Sequence, residues 1–311
     1  MDSKVIVLGA GGTIAGTAAD ADDNVGYTAA QLGVAALVRA VPALVGLAIE
    51  AEQVAQLDSK SMSHAVWLEL ALRCTHHLAR ADVCGIVITH GTDTLEETAW
   101  FLQRVLAPAK PVVLTAAMRP ATALQADGPQ NLLDAVRVAR MAGACGVVAV
   151  LAGRVMGARD VRKAHPYRID AFSSGDAGNI GRVEEGGLRQ FRPWPQGEAF
   201  GLGMLPSDAT TGWPQVEIVT SHAGASGAVV RALCSTGVRG LVVAATGNGT
   251  VHGDLEAALL EAQTQGVAVL RRTRCRDGCV LAAAHDALAS AGDLTPEKAR
   301  VELMLSLMWP V

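Results

Sequence analysis

Short runs of β-branched and aliphatic residues alternate in this chain with amphipathic stretches of helical length. The runs cover residues 5–8, 85–89, 111–115 and 146–151, and the helical stretches cover residues 29–40, 63–80, 94–106 and 129–141. Parallel strands must be joined by long crossovers, usually helices. The alternation therefore predicts an α/β fold with an open, mostly parallel sheet that is covered by helices on both faces.

The pattern stops between residues 186 and 214, which are rich in proline and glycine, and then begins again. The second set has strands at 216–220, 240–245 and 266–270, helices from Ser226 and Asp254, and a last helix at 295–307. A chain of 311 residues exceeds what one hydrophobic core usually supports. We predict a larger N-terminal α/β domain over 1–190, a linker over 191–214 and a smaller C-terminal α/β domain over 215–311.

The composition excludes several classes of protein. Half of the residues are apolar and only 18% are charged, which excludes a disordered chain. The longest apolar stretch, residues 145–153, has nine residues, whereas a membrane span needs about 18 to 20. The formal charge of −4 without a long basic run disfavours nucleic acid as a partner. We expect a soluble protein that acts on a small molecule.

The start of the chain and its cysteines indicate a cytoplasmic protein. The apolar run at 5–8 is too short for a signal-peptide core and is followed by glycines. The six cysteines match neither a zinc nor a redox spacing, and we expect reduced, mostly buried thiols. Since the eight histidines are also scattered, we expect no metal and no cofactor.

Two threonines stand directly after predicted strands. Thr13 follows the first strand in a glycine-rich segment, and Thr92 follows the strand at 85–89. Ligands of open α/β sheets bind beyond the carboxyl ends of the strands, so both threonines are candidate site residues. A dinucleotide-binding turn is disfavoured because Ile14 stands where that fingerprint requires glycine or alanine.

A threonine needs a neighbouring base to become a nucleophile. The polar, acidic segment 17–28, flanked by Gly16 and Gly26, has the composition of a mobile lid, and its Tyr27 can supply a hydroxyl partner for Thr13. Asp93 adds a carboxylate beside Thr92, and Lys163 is a possible base if burial or nearby cations lower its pKa.

Taken together, these segments resemble one known family. They are residues 11–16 (GGTIAG), 89–94 (THGTDT), 118–120 (MRP), 126–129 (ADGP), 157–163 (GARDVRK) and 294–300 (LTPEKAR). Their order and spacing are similar to those of the bacterial-type L-asparaginases over nearly the whole chain. The resemblance implies two α/β domains, a homotetramer of intimate dimers, and hydrolysis of a side-chain amide through an acyl-enzyme.

The resemblance also implies roles for individual residues. Thr13 matches the nucleophile and Tyr27 its lid partner. Thr92 matches a second hydroxyl, Lys163 its base, and Asp93 the ligand of the substrate α-amino group. Gly12 and Ser59 match substrate-binding positions, with Ser59 holding the α-carboxylate, and Thr92 and Asp93 contribute to the same pocket. The implied reaction converts L-asparagine to L-aspartate and ammonia.

Three departures from the family pattern concern substrate recognition. Lys60 follows Ser59 where the family commonly has glutamine or a small polar residue, and it either points into the site or faces solvent. Thr250 replaces an asparagine that the partner subunit supplies in the family. The segment 276–290 is shorter than is usual in the family. Its polar candidates for the place of the glutamate that the partner subunit supplies in the family are Asp286 and His285. We therefore expect looser α-amino binding.

Two alternatives stay open at this point. The protein could prefer glutamine or another side-chain amide with the same Thr13 chemistry, or it could be a non-catalytic amino-acid-binding relative. The presence of Thr13, Thr92 and Lys163 argues against the second alternative. A serine hydrolase is disfavoured because the glycines around Ser226 lack the nucleophile-elbow spacing.

Overall fold

The computed structural model describes residues 3–208, 211–281, 283–284 and 286–309. The chain divides into two compact units, Met1–Leu202 and Gly203–Val311. Each unit is built on a mostly or wholly parallel sheet with helices, so the predicted α/β class is confirmed. Among the helices that are described, none is both long and apolar enough to span a membrane.

The strands of the N-terminal unit alternate at first with its helices. The strands are β1 (Lys4–Gly11), β2 (Ile49–Leu57), β3 (Val83–Thr89), β4 (Val112–Thr115), β5 (Val147–Leu151), β6 (Arg154–Gly157), β7 (Arg162–Lys163), β8 (Phe172–Ser173), β9 (Gly181–Glu184) and β10 (Gly187–Gln190). The helices are α1 (Val34–Arg39), α2 (His64–Leu78), α3 (Leu95–Leu106) and α4 (Gly128–Ala139).

The main sheet has the strand order β10-β9-β6-β5-β4-β3-β1-β2. Strands β2, β1, β3, β4 and β5 are parallel, and β6, β9 and β10 extend the sheet with antiparallel pairs. The central strands are buried on both faces, as expected when crossover helices cover a parallel sheet. Because β1, β2 and β3 are parallel neighbours, the loops after them emerge at one edge of the sheet.

The C-terminal unit repeats the parallel arrangement on a smaller scale. Its strands are β11 (Val216–Thr220), β12 (Gly240–Ala245), β13 (Ala268–Thr273) and β14 (Ala289–Ser290), paired in that order and all parallel. Its helices are α5 (Ala228–Ser235), α6 (Gly253–Thr264) and α7 (Pro296–Ser306).

Several predicted helix starts are confirmed. The Ser63 hydroxyl accepts a hydrogen bond from the Val66 N–H at 3.4 Å and so caps α2. Pro129 lies in the first turn of α4, where its missing N–H removes no hydrogen bond, because N–H groups at the start of a helix have no partner within it.

Other boundaries differ from the prediction. The first helix begins at Val34 instead of residue 29, because Ala30 has a left-handed φ of 58° and its N–H bonds to the carbonyl of Gly12. Strand β2 was not predicted, since it lies at the sheet edge and carries polar residues along its length. The strand predicted at 266–270 is displaced to Ala268–Thr273, where Arg271 and Arg272 are buried.

Candidate functional site

Thr13 lies in a tight turn at the end of β1. The strand leads through Gly11 and Gly12, both with positive φ, into a 3-10 turn that begins at Thr13. A Cβ on Gly12 would overlap the backbone of Gly91, which precedes Thr92. Glycine is required at position 12 for both reasons, and the backbones of the two threonine loops are therefore in direct contact.

The hydroxyl groups of Thr13 and Tyr27 share a hydrogen bond of 2.7 Å. Thr13 is buried, and Tyr27 is adjacent to a two-residue bridge in which Thr17 and Thr28 exchange backbone hydrogen bonds of 2.9 Å. Tyr27 therefore stands at the base of the loop 17–28, next to Thr13, and the loop tip lies beyond this bridge.

The same loop is ordered by its own polar groups. The Asp23 carboxylate accepts the N–H groups of Gly26 at 2.6 Å and Val25 at 2.9 Å, which lowers the pKa of Asp23. The Ala18 N–H donates to the Thr122 hydroxyl at 2.9 Å. Acidic residues in this loop thus serve as turn-forming groups.

Lys163 contacts both polar side chains of the second loop. Its Nζ donates to Thr92 Oγ1 at 2.8 Å and to Asp93 Oδ1 at 2.6 Å. Thr92 is buried, the Lys163 side chain is 20% exposed, and that of Asp93 is 49% exposed. The amine therefore bridges a buried hydroxyl and a carboxylate that is open to solvent.

Ser59 connects the loop after β2 to the loop after β3. Its hydroxyl oxygen accepts the Asp93 N–H at 3.1 Å, and its carbonyl accepts the Thr94 hydroxyl at 2.8 Å. A Cβ on Gly91 would overlap Ser59 Oγ, so this approach also depends on a glycine. The structure thus brings Ser59 and Asp93 together beside Thr92 and Lys163, and the contact between Gly12 and Gly91 adds the Thr13 loop.

A network of buried, hydrogen-bonded side chains supports the loop that contains Thr92. The sequence analysis gave these side chains no role. His90 Nδ1 lies 2.7 Å from the carbonyl oxygen of Gly91, and His90 Nε2 lies 3.0 Å from Thr98 Oγ1. Thr98 Oγ1 in turn accepts the indole N–H of Trp67 at 2.9 Å. The sequence signal that could have indicated this network is the histidine itself, which stands in a turn between an apolar strand and a helix.

These contacts determine the tautomer of His90. A carbonyl only accepts, so Nδ1 carries the proton; Trp67 donates to Thr98, so the Thr98 hydroxyl proton is free to point at Nε2. Burial lowers the pKa of His90 to about 4, which is consistent with a neutral ring. His90 is therefore a supporting group and not an exposed base.

The side chains at the positions that depart from the family pattern bond to other residues of the same chain. The Lys60 side chain is 71% exposed and pairs with Asp58 at 3.2 Å, so it faces solvent. The Thr250 hydroxyl donates to the Thr246 carbonyl at 3.1 Å. Asp286 forms an ion pair with Arg271, so the carboxylate already has a partner. His285 lies outside the described residues.

Two protein-family models match the chain. A family model described as "Asparaginase, N-terminal" matches residues 4–196, and one described as "Glutaminase/Asparaginase C-terminal domain" matches residues 215–308. The chain belongs to the asparaginase family. The family resemblance inferred from the sequence is thus confirmed.

Individual members of the asparaginase family are similar over almost their full length. L-asparaginase 2 of Bacillus subtilis is 37% identical, over 98% of this chain and 82% of its own. The glutaminase-asparaginase of Pseudomonas fluorescens is 37% identical, over 98% of this chain and 86% of its own. A crystal structure of a probable cytoplasmic L-asparaginase from Campylobacter jejuni superposes with a TM-score of 0.93 at 37% identity, over 99% of this chain and 96% of that one.

Proposed function

We propose that this asparaginase-family protein hydrolyses L-asparagine to L-aspartate and ammonia, with Thr13 as the nucleophile. The observation that carries the proposal is the hydrogen bond between Thr13 and Tyr27, together with the contact of the Thr13 loop with the loop of Thr92 and Asp93, to which Lys163 donates. The relatives named L-asparaginase support the choice of substrate.

In the proposed first step, Thr13 Oγ1 bonds to the carbon of the side-chain amide. The Thr13 proton leaves along the hydrogen bond to Tyr27 and reaches the amide nitrogen, which departs as ammonia. The backbone N–H of Thr92 stabilises the negative charge that develops on the carbonyl oxygen. The product of this step is an ester between Thr13 and the aspartyl group.

In the second step, water attacks the ester carbon and aspartate is released. The proton of the water returns to Thr13 Oγ1, so that the enzyme is regenerated. Lys163 acts as the base for this water: the Thr92 hydroxyl accepts the water proton as it passes its own proton to Lys163 Nζ, and the lysine gives a proton back through Thr92 when Thr13 Oγ1 leaves. This role requires the neutral amine, because an ammonium group cannot accept a proton.

Ser59 and Asp93 hold the amino-acid end of the substrate in this proposal. The Ser59 oxygen accepts the Asp93 N–H, which leaves the Ser59 hydroxyl proton available for the substrate α-carboxylate. Lys163 binds one oxygen of the Asp93 carboxylate, and the exposed side chain offers the other oxygen to the α-ammonium group. Gly12 allows the close approach of the backbone to the substrate.

A second candidate is glutamine, because the similar Pseudomonas fluorescens protein is named glutaminase-asparaginase. We also propose a homotetramer of intimate dimers and a cytoplasmic location. The family resemblance supports the tetramer, and the Campylobacter jejuni protein is named as cytoplasmic. The proposed domain limits of 1–190 and 215–311 are supported by the matched ranges 4–196 and 215–308.

Replacement of Thr13 tests the proposed nucleophile. We expect Thr13→Ala to lose nearly all release of ammonia from asparagine while it keeps the wild-type circular dichroism spectrum, because the residue lies in a turn outside the sheet. Lys60→Gln is the matched control, since the exposed Lys60 side chain belongs to a neighbouring loop. If Thr13→Ala keeps more than about a tenth of the wild-type kcat, a barrier change below about 1.4 kcal/mol, Thr13 is not the nucleophile.

A further inference from the structure

Lys163 is attached to the start of α3 at two points. Its Nζ donates to Thr92 and Asp93, which precede the helix, and its backbone N–H donates to the Glu96 carboxylate at 3.1 Å. Glu96 lies in the first turn of α3, four residues after Thr92. Both ends of the lysine are thus fixed to the same segment of about five residues.

The strand that carries Lys163 provides little support of its own. It is the two-residue strand β7, which forms a two-stranded sheet with β8 in which Lys163 lies opposite Phe172. A carboxylate that accepts a backbone N–H forms a charge-assisted hydrogen bond, roughly twice as strong as a neutral one. The Glu96 contact is therefore a substantial part of what holds the Lys163 backbone beside α3.

We propose that Glu96 is a positioning residue for the reaction, which sets the distance between Lys163 Nζ and Thr92 Oγ1 by holding the Lys163 backbone. This inference rests on the proposed role of Lys163 as a base. The Glu96 carboxylate accepts the main-chain N–H of Lys163, so in this inference it acts by holding the Lys163 backbone in place. A displacement of the amine by about 1 Å lowers the rate of a proton transfer far more than it weakens substrate binding.

Two substitutions of Glu96 distinguish the effect of the length of its side chain from the effect of its charge. Glu96→Asp keeps the negative charge at the helix start but withdraws the carboxylate by one methylene from the Lys163 N–H. Glu96→Gln loses the charge but keeps an oxygen acceptor at the same reach. We expect Glu96→Asp to lower kcat for asparagine at least tenfold, with KM changed less than about threefold, and Glu96→Gln to keep at least a third of the wild-type kcat.

If Glu96 only stabilises α3 through its charge, the order of the two variants reverses. An acidic residue in the first turn favours the helix dipole, so Glu96→Asp would then be harmless and Glu96→Gln harmful. Glu97→Asp is the matched control, because Glu97 is the neighbouring acid in the same turn. Thermal melting of each variant shows whether a loss of kcat follows a loss of stability.

The double variant Glu96→Asp/Lys163→Met completes the test. If Glu96 acts through Lys163, the double variant is at most about twofold slower than Lys163→Met alone, and the pH-rate profile of Glu96→Asp differs from that of the wild type. Multiplicative losses, a normal kcat for Glu96→Asp, or an equal loss for Glu97→Asp would overturn the inference. If Lys163→Met has a low kcat and Glu96→Asp has a normal kcat, the inference about Glu96 is refuted and the role of Lys163 is not. If Lys163→Met has a near-normal kcat, Lys163 is not the base and the inference about Glu96 is refuted with it.

Discussion

At the scale of single residues, the polar side chains of the site have defined hydrogen-bond partners. The hydroxyl groups of Thr13 and Tyr27 are bonded to each other, Thr92 accepts from Lys163, and His90 donates to the Gly91 carbonyl. The neutral state of His90 matters because a second ring proton would point at the Thr98 hydroxyl. Thr98 would then have to give up its role as a donor to the ring.

The buried His90 makes the stability of the protein depend on pH. Its pKa is about 4 in the fold and about 6.5 in an unfolded chain. Between these values the unfolded state binds one more proton, so the free energy of unfolding falls as pH falls through this window, by on the order of 3 kcal/mol in total, and is unaffected by this group above pH 6.5. Urea unfolding of the wild type and of His90→Gln from pH 4 to pH 7.5 measures this term.

The difference between the two unfolding curves isolates His90, since other titrating groups are common to both proteins. We expect the wild type to lose more stability than His90→Gln on acidification. Parallel dependences on pH in the two proteins would show that His90 is not held neutral by the fold.

The sequence predicted which polar residues lie together better than it predicted the groups that support them. Thr13, Tyr27, Thr92 and Lys163 stand in motifs with recognisable order and spacing, whereas their contacts depend on the fold. His90 lies within the motif 89–94, but neither it nor Glu96 could be given a partner from the sequence, because the partners are a turn carbonyl and a backbone N–H on a strand 67 residues away from Glu96. Such contacts follow from tertiary packing and leave no local pattern.

At the scale of elements, three loops meet because three neighbouring strands end at the same edge of the sheet. The loops after β1, β2 and β3 touch at glycines, where Gly12 meets Gly91 and Gly91 meets Ser59. Sequence patterning identified β1 and β3 through their buried aliphatic runs. It missed β2, which has one strand neighbour and a polar pattern, and it started α1 too early because the left-handed Ala30 interrupts the helix.

The contact between loops makes Gly91 sensitive to the smallest added side chain. We expect Gly91→Ala to push Ser59 out of place, which should raise KM for asparagine at least tenfold and lower the melting temperature, because a buried overlap typically destabilises a protein by about 1–3 kcal/mol. Gly253→Ala is the control, since a methyl group there meets open space and Gly253 begins α6. An unchanged KM in Gly91→Ala would mean that Ser59 does not bind substrate.

At the scale of the whole molecule, each of the two units is built on a mostly or wholly parallel sheet with helices, and the N-terminal unit contains every residue proposed here for the chemical steps. The C-terminal unit contains two of the three departures from the family pattern, Thr250 and the segment 276–290 that includes Asp286. Asp286 is held by Arg271 in its own chain, and Thr250 by Thr246. The residues proposed for the chemical steps are therefore all present, and the departures in the C-terminal unit are the reason why we expect looser α-amino binding.

Substrate preference follows from this distribution. Ser59 and Asp93 are retained, so we expect kcat/KM to be higher for asparagine than for glutamine, by roughly 10 to 200-fold for one methylene. The altered C-terminal positions should give a KM for asparagine well above low micromolar values. Lys60→Gln should leave that KM unchanged, because the Lys60 side chain faces solvent. Ammonia release from both amino acids, measured side by side, tests all three expectations, and an equal or higher value for glutamine would contradict the assignment.

The bridge between Thr17 and Thr28 divides the loop 17–28 into a base with paired backbone and a tip, and the two parts differ in how much change they tolerate. Tyr27 belongs to the closed base, and the tip between residues 20 and 26 is bound mainly by its own turns. Exposed loop tips tolerate insertions and variation far better than paired backbone does. The tip can therefore be lengthened or its sequence changed, by evolution or by design, while Tyr27 keeps its hydrogen bond to Thr13.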